Sequence, residues 1–193
     1  MSRSAAPPGW DGTRRLSPVG YFALASLALA TAAGINTASV ALEQKGALLT
    51  RRFGSKAWCV HLAAITPAWA WFLLLLRGLG KRTVCPLPKK LRPFGVPLLI
   101  LATVTWLSAF LQLGLVRTLN GGVFGRGDSS PIRGGLFRWL RNPMYHSYTI
   151  ALAGAGLRKG NALYLLLAAE SFVLFNLIEA PVENRSVGRT SEN

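Results

Sequence analysis

Four apolar runs dominate the chain: Val19 to Leu42, Trp58 to Leu76, Gly95 to Val116 and Met144 to Ile178. A helix needs ~20 apolar residues to cross the ~30 Å hydrocarbon core of a bilayer. Only helices and closed barrels can satisfy their own backbone groups there. The runs therefore predict an all-α, polytopic transmembrane helical bundle. The last run spans 35 residues and as one helix would reach ~52 Å, well beyond that core. Arg158-Lys159-Gly160 interrupts it, which predicts a C-terminal helical hairpin, 144–157 out and 161–178 back, and four to five membrane helices in all.

The charge is unbalanced, with 22 Lys+Arg against 7 Asp+Glu in 193 residues, a formal +15. The cations lie between the apolar runs, most densely from Arg77 to Arg92, so the fitting partner is a membrane with anionic lipids and not nucleic acid. Cys59 and Cys85 stand far apart with no companion ligands, which indicates packing residues and no metal site. Residues 1–17, rich in Ser, Ala, Pro and Gly, read as a disordered tail. The apolar run behind them is too long for a signal-peptide core. Residues 18–185 form the membrane-embedded domain and 186–193 a short polar tail.

Within the runs, Gly34, Asn36 and Thr37 weaken the first, which suggests a tilted or interfacial helix, or small residues used for helix packing. Pro67 is expected to kink the second. Trp58 sits like an interfacial anchor, and His61 reads as a hydrogen-bonded packing residue. The 117–145 loop is too long to be a mere connector. It ends in Gly134-Gly135-Leu136-Phe137-Arg138-Trp139-Leu140-Arg141-Asn142-Pro143-Met144-Tyr145. Asn142 should end one local structure and Pro143 start a helix. Arg138 and Arg141 would share a face of any short helix there, suited either to a phosphate or carboxylate ligand or to docking on anionic lipid. Glu170 and Asn176 are intramembrane polar residues, functional candidates by default. Asn176, Glu179 and Glu183 would share one face, and Pro181 should end or kink the helix.

Asn142-Pro143-Met144-Tyr145, followed by Glu179-Ala180-Pro181, resembles the phosphatidylethanolamine N-methyltransferases, which carry Asn-Pro-Met-Tyr and then Glu-Glu-Pro. The likeness extends to Leu107 to Phe110, Leu113-Gly114, Thr118, Gly121 to Gly125, Glu43-x-Lys45 and Arg51-x-Phe53-Gly54-Ser55. Isoprenylcysteine carboxyl methyltransferases, with Arg-His-Pro at the same place, are more distant relatives. The resemblance implies a membrane-embedded enzyme using S-adenosylmethionine to methylate phosphatidylethanolamine or its mono- and dimethylated forms toward phosphatidylcholine, in the endoplasmic reticulum membrane. Asn142, Pro143, Met144, Tyr145 and Glu179 would line the cofactor pocket, Glu179 and Tyr145 would be catalytic, and Arg141 with Arg138 would bind the lipid phosphate. The proton acceptor is open among Glu183, Tyr145, His146 and a water chain.

The chain departs from the pattern at Ala180, in place of the second glutamate, at Gly122 in place of an aspartate, and at Ser147 in place of a glycine. The glycines of the family's Gly-x-Gly are missing from Ile100-Leu101-Ala102. These departures keep open a non-catalytic relative that binds lipid or a protein partner, and a prenylcysteine carboxyl methyltransferase. Restoring the pair by Ala180→Glu is expected to raise cofactor affinity. Basic residues divide evenly between the two sides, so charge does not orient the chain. A cytosolic cofactor does, since the 117–145 loop and the C-terminal tail must then both face the cytosol.

Overall fold

The computed structural model describes residues 16–81, 85–127, 130, 132 and 134–183. Most of both predicted tails, together with Arg82 and Asp128, lies outside them. Helix α1 (Pro18–Gly46) starts where the sequence gives a cap: the Ser17 hydroxyl accepts from the Gly20 N–H at 3.0 Å, and Pro18 holds the first helical position. Ser17, the last residue of the stretch read as a tail, thus caps α1. The buried stripe of α1 is mostly small: Ala25, Ala28, Leu29, Ala32, Ala33, Asn36 and Val40. That stripe lets the next long helix, α3 (Ala57–Leu79), approach closely. A Cβ on Gly78 of α3 would sit 2.2 Å from the Tyr21 ring of α1.

Between them, Ala47 turns the chain in the left-handed region (φ 52°) into the short helix α2 (Leu48–Phe53). The buried Glu43 carboxylate accepts from the Leu49 and Thr50 N–H groups, each at 3.1 Å, and so caps α2. Helix α3 continues through Pro67, which lies on its exposed face. Helix α4 (Arg92–Thr118) is broken at Gly114, whose φ of 70° and ψ of 167° only glycine adopts readily.

The hairpin forms as the sequence predicts. Helix α5 (Pro143–Lys159) ends at Gly160, left-handed with φ 65°, and α6 (Leu163–Phe172) returns. Asn161 secures the turn, donating to the Leu79 carbonyl at 3.4 Å and accepting from the Leu163 N–H at 3.1 Å. The segment 85–87 pairs with it through a bridge between Pro86 and Asn161. That bridge is the nearest approach to a strand among the described residues. Helix α5 packs on α4 where two glycines meet: a Cβ on Gly95 would lie 2.6 Å from the Gly154 carbonyl, and one on Gly154 3.0 Å from that of Gly95. A common core of Leu29, Phe72, Leu79, Leu167 and Phe175 joins α1, α3 and the return helix.

Four stretches are long and apolar enough to cross a membrane: Pro18–Gly46, Leu48–Leu79, Lys89–Phe124 and Leu163–Glu183. Their outward faces carry large bare side chains, Leu74 at 67% and Leu111 at 73% exposed, which suits lipid and not water. The chain is an integral membrane protein. Helix α5 has 17 residues and would reach only ~26 Å, so it is a short fifth element backed by α4.

Three local expectations change. The return helix does not end at Pro181. It widens into a π-helical turn over Val173–Glu179 and then continues through Glu183. Proline has no N–H for the Leu177 carbonyl and its ring would crowd that carbonyl, and the wider turn accommodates both. Arg138 closes a short 3-10 turn, Gly135–Arg138, that stops before Arg141, so the two arginines share no helix face. Cys59 and Cys85 are free and exposed, not packed.

Candidate active site

Helix α5 opens at Pro143 with Asn142 in the capping position, which puts Tyr145 in the first turn facing the return helix. The Tyr145 hydroxyl donates to Glu179 Oε1 at 2.8 Å. The Asn36 side-chain amide, from the middle of α1, also donates to Glu179 Oε1 and reaches Glu183 Oε1 at 3.2 Å. Its own Oδ1 accepts from Asn120 Nδ2 at 2.9 Å. One asparagine therefore joins two carboxylates to the loop after α4. Glu179 and Glu183, four residues apart, reach it from one face of the return helix. Asn176, expected on the same face, instead has a buried amide nitrogen with no partner.

Two cavities flank this cluster. The first, about 210 Å³, lies between α1, α3 and the return helix and is lined by Asn36, His61, Trp69, Tyr145, Tyr148 and Glu179 among others. The second, about 150 Å³, is walled by Asn142, Pro143, Met144, Tyr145, Arg117 and Glu183 among others. Thr118, Asn120, Tyr145 and Tyr148 belong to both. Each alone is smaller than the ~300 Å³ at which ligand pockets usually begin, so they read as two lobes of one site. Buried polar atoms seldom lack partners. Here His61 Nδ1, Thr118 Oγ1, Asn142 Nδ2 and Glu179 Oε2 are all buried and unpartnered, and all belong to residues lining the lobes. That is the signature of a site built for a polar ligand.

The five residues expected in a cofactor pocket are thus brought together, Asn142 to Tyr145 in the second lobe and Tyr145 with Glu179 at the first. Arg138 and Arg141 are exposed on the adjoining loop and line neither lobe. The Arg138 guanidinium lies 5.5 Å from the centre of the exposed Trp139 ring. Glu170 is half-buried on α6 and His146 packs against Phe172, both outside the two lobes. His61 is buried as expected, 5.1 Å from the Phe124 ring, but its Nδ1 has no hydrogen bond and it lines the first lobe. Asn36, Asn120, Arg117, Trp69 and Tyr148 had no motif to mark them. The one available signal was a polar Asn36 amid an apolar run.

The family described as phospholipid methyltransferase matches residues 91–190, just over half the chain. The chain belongs to the phospholipid methyltransferase family. The phosphatidyl-N-methylethanolamine N-methyltransferase of Emericella nidulans is 28% identical over 142 residues, covering 69% of this chain and 67% of that protein. No solved structure matches the chain. As a phospholipid methyltransferase the protein is an enzyme, and the matched region contains both the Asn142 to Tyr145 turn and Glu179. The carboxylate missing at Ala180 has a neighbour one turn on, since Glu183 presents its own to the same Asn36 amide.

Proposed function

We propose that this phospholipid methyltransferase transfers the methyl group of S-adenosylmethionine to the head-group nitrogen of phosphatidylethanolamine or its mono- and dimethylated forms, toward phosphatidylcholine, in the endoplasmic reticulum membrane. One observation carries the reading. Tyr145 and Glu179, far apart in sequence, close on one buried hydrogen-bonded cluster between two lobes lined with unpartnered polar atoms. The name of the Emericella relative supports nitrogen as the methyl acceptor.

In this reading the second lobe holds the cofactor. Glu183 and Arg117 supply opposite charges for a zwitterionic amino-acid end, while Asn142, Pro143, Met144 and Tyr145 shape the wall. S-adenosylmethionine supplies a methyl group on a sulfonium, which leaves as a thioether when an amine attacks in line. The first lobe takes the head group. Glu179 Oε1 is held by Tyr145 and Asn36, so Oε2 is free to face the ammonium, balance its charge and accept the proton it must shed before attack. Arg141, next to Asn142, reaches for the lipid phosphate from the exposed loop, with Arg138 beside it. Membranes containing the protein, incubated with methyl-labelled S-adenosylmethionine, should place label in ethanolamine-derived phospholipid. Label in protein alone would indicate carboxyl methylation instead.

A further inference from the structure

Three aromatic residues of the first lobe are fixed by one buried ring. Phe175, 1% exposed, stacks with Trp69 at 5.9 Å between centroids and with Tyr145 at 5.3 Å, and meets Tyr148 edge-on at 5.9 Å. Trp69 and Tyr148 are themselves 5.7 Å apart. Trp69, Tyr145 and Tyr148 come from α3 and the first turns of α5, and all three line the lobe together with Glu179. Packing alone would explain a ring cluster in a membrane bundle. It does not explain why the cluster borders a cavity, or why Glu179 Oε2 is left there, buried and without a hydrogen bond.

We infer that Trp69, Tyr145 and Tyr148, with Glu179 as counter-charge, form an ammonium box that selects head groups already carrying N-methyl groups. The inference rests on the phospholipid N-methylation reading and names the step. Ring faces attract cations, most strongly when the cation is weakly hydrated. Each methyl group replaces an N–H, removes a water contact and adds apolar surface against the rings. A primary ammonium must instead give up hydrogen bonds that the rings cannot return. Affinity should therefore rise from ethanolamine through its mono- and dimethyl forms to choline, and the finished product should compete with the acceptor. Trp69 is the specificity residue in this scheme. Phe175 positions the rings and touches no ligand.

The test is calorimetric titration of the purified protein in detergent with short-chain phosphatidylcholine and short-chain phosphatidylethanolamine. The choline head group should bind about 10-fold more tightly. Trp69→Leu should reduce that preference to about twofold or less, weakening choline binding more than ethanolamine binding. Trp69→Phe, which keeps a ring on Phe175, should retain part of the preference and shows that loss in the leucine variant is not misfolding. Equal binding of the two head groups by the wild-type protein, or equal weakening of both by Trp69→Leu, would overturn the box. A preserved choline preference with no methyl label reaching any lipid would leave the box standing and contradict the N-methylation reading.

Discussion

Asn36→Leu removes the side chain on which the site converges while keeping a similar volume on the small-residue stripe of α1. The Asn36 amide donates to two buried carboxylates and its carbonyl oxygen accepts from Asn120. A hydrogen bond to a charged group contributes about 1.5–3 kcal/mol, and stranding a buried acceptor forfeits that or more. Glu179 retains Tyr145, and water entering the first lobe can solvate part of what is lost, so the low end applies to each bond. The expected cost is about 3 kcal/mol in total, which at ~2–4 °C per kcal/mol for a chain of this size lowers the melting temperature by ~6–12 °C. Methyl transfer should fall further than stability does, because Glu179 and Glu183 lose the group that holds them in one place. The assay is thermal unfolding in detergent beside lipid methylation at a temperature where both proteins are folded. Wild-type melting and a wild-type rate in Asn36→Leu would refute the idea that this amide organises the site.

Other outcomes follow from the same geometry. Arg141→Ala should weaken use of the lipid substrate roughly 10–150-fold with cofactor binding nearly unchanged; equal loss of both, measured by calorimetry, would put Arg141 in the cofactor lobe or in folding. Ala180→Glu, which the family pattern suggests would raise cofactor affinity, should instead destabilise the protein. Ala180 is buried and Glu183 already brings a second carboxylate to Asn36, so a third acid would be forced into a filled position. A higher melting temperature in Ala180→Glu would contradict this. Glycosylation acceptors engineered into the 117–142 loop and into the C-terminal tail should both remain unmodified in microsomes, because Tyr145 and Glu179 share one pocket that a cytosolic cofactor must reach. Modification of just one would break the hairpin arrangement.

The helical layout was legible because lipid imposes a length on every apolar run. Arg158-Lys159-Gly160 and Asn142-Pro143 are local signals, and the structure turns and starts helices at both. The meeting of Tyr145 with Glu179 was legible through the resemblance alone. Asn36 was not, since its partners Glu179 and Glu183 lie 143 and 147 residues away and no periodicity links them. The face shared by Glu179 and Glu183 was legible from their four-residue spacing, but the unpartnered Asn176 was not. A 3.6-residue period groups Asn176 with Glu179 and Glu183, but Asn176 lies inside the π-helical turn Val173–Glu179, which the sequence marked only through Pro181, read as an end or a kink. The break at Gly114 escaped for a related reason: a single glycine inside an apolar run is as often a packing site as a break.

The most direct measurement compares wild-type protein with Glu179→Gln, both purified, titrated with S-adenosylmethionine in a calorimeter and then incubated with the labelled cofactor and ethanolamine phospholipid. The substitution keeps the shape of the side chain and removes its charge. The wild-type protein should bind the cofactor and pass label to the lipid. Glu179→Gln should remain monodisperse in detergent, bind the cofactor nearly as the wild type does through the second lobe, and leave the lipid unlabelled. A Glu179→Gln protein that still methylates lipid at the wild-type rate, or a wild-type protein that binds no S-adenosylmethionine, would contradict the assignment of this cluster as the methyl-transfer site.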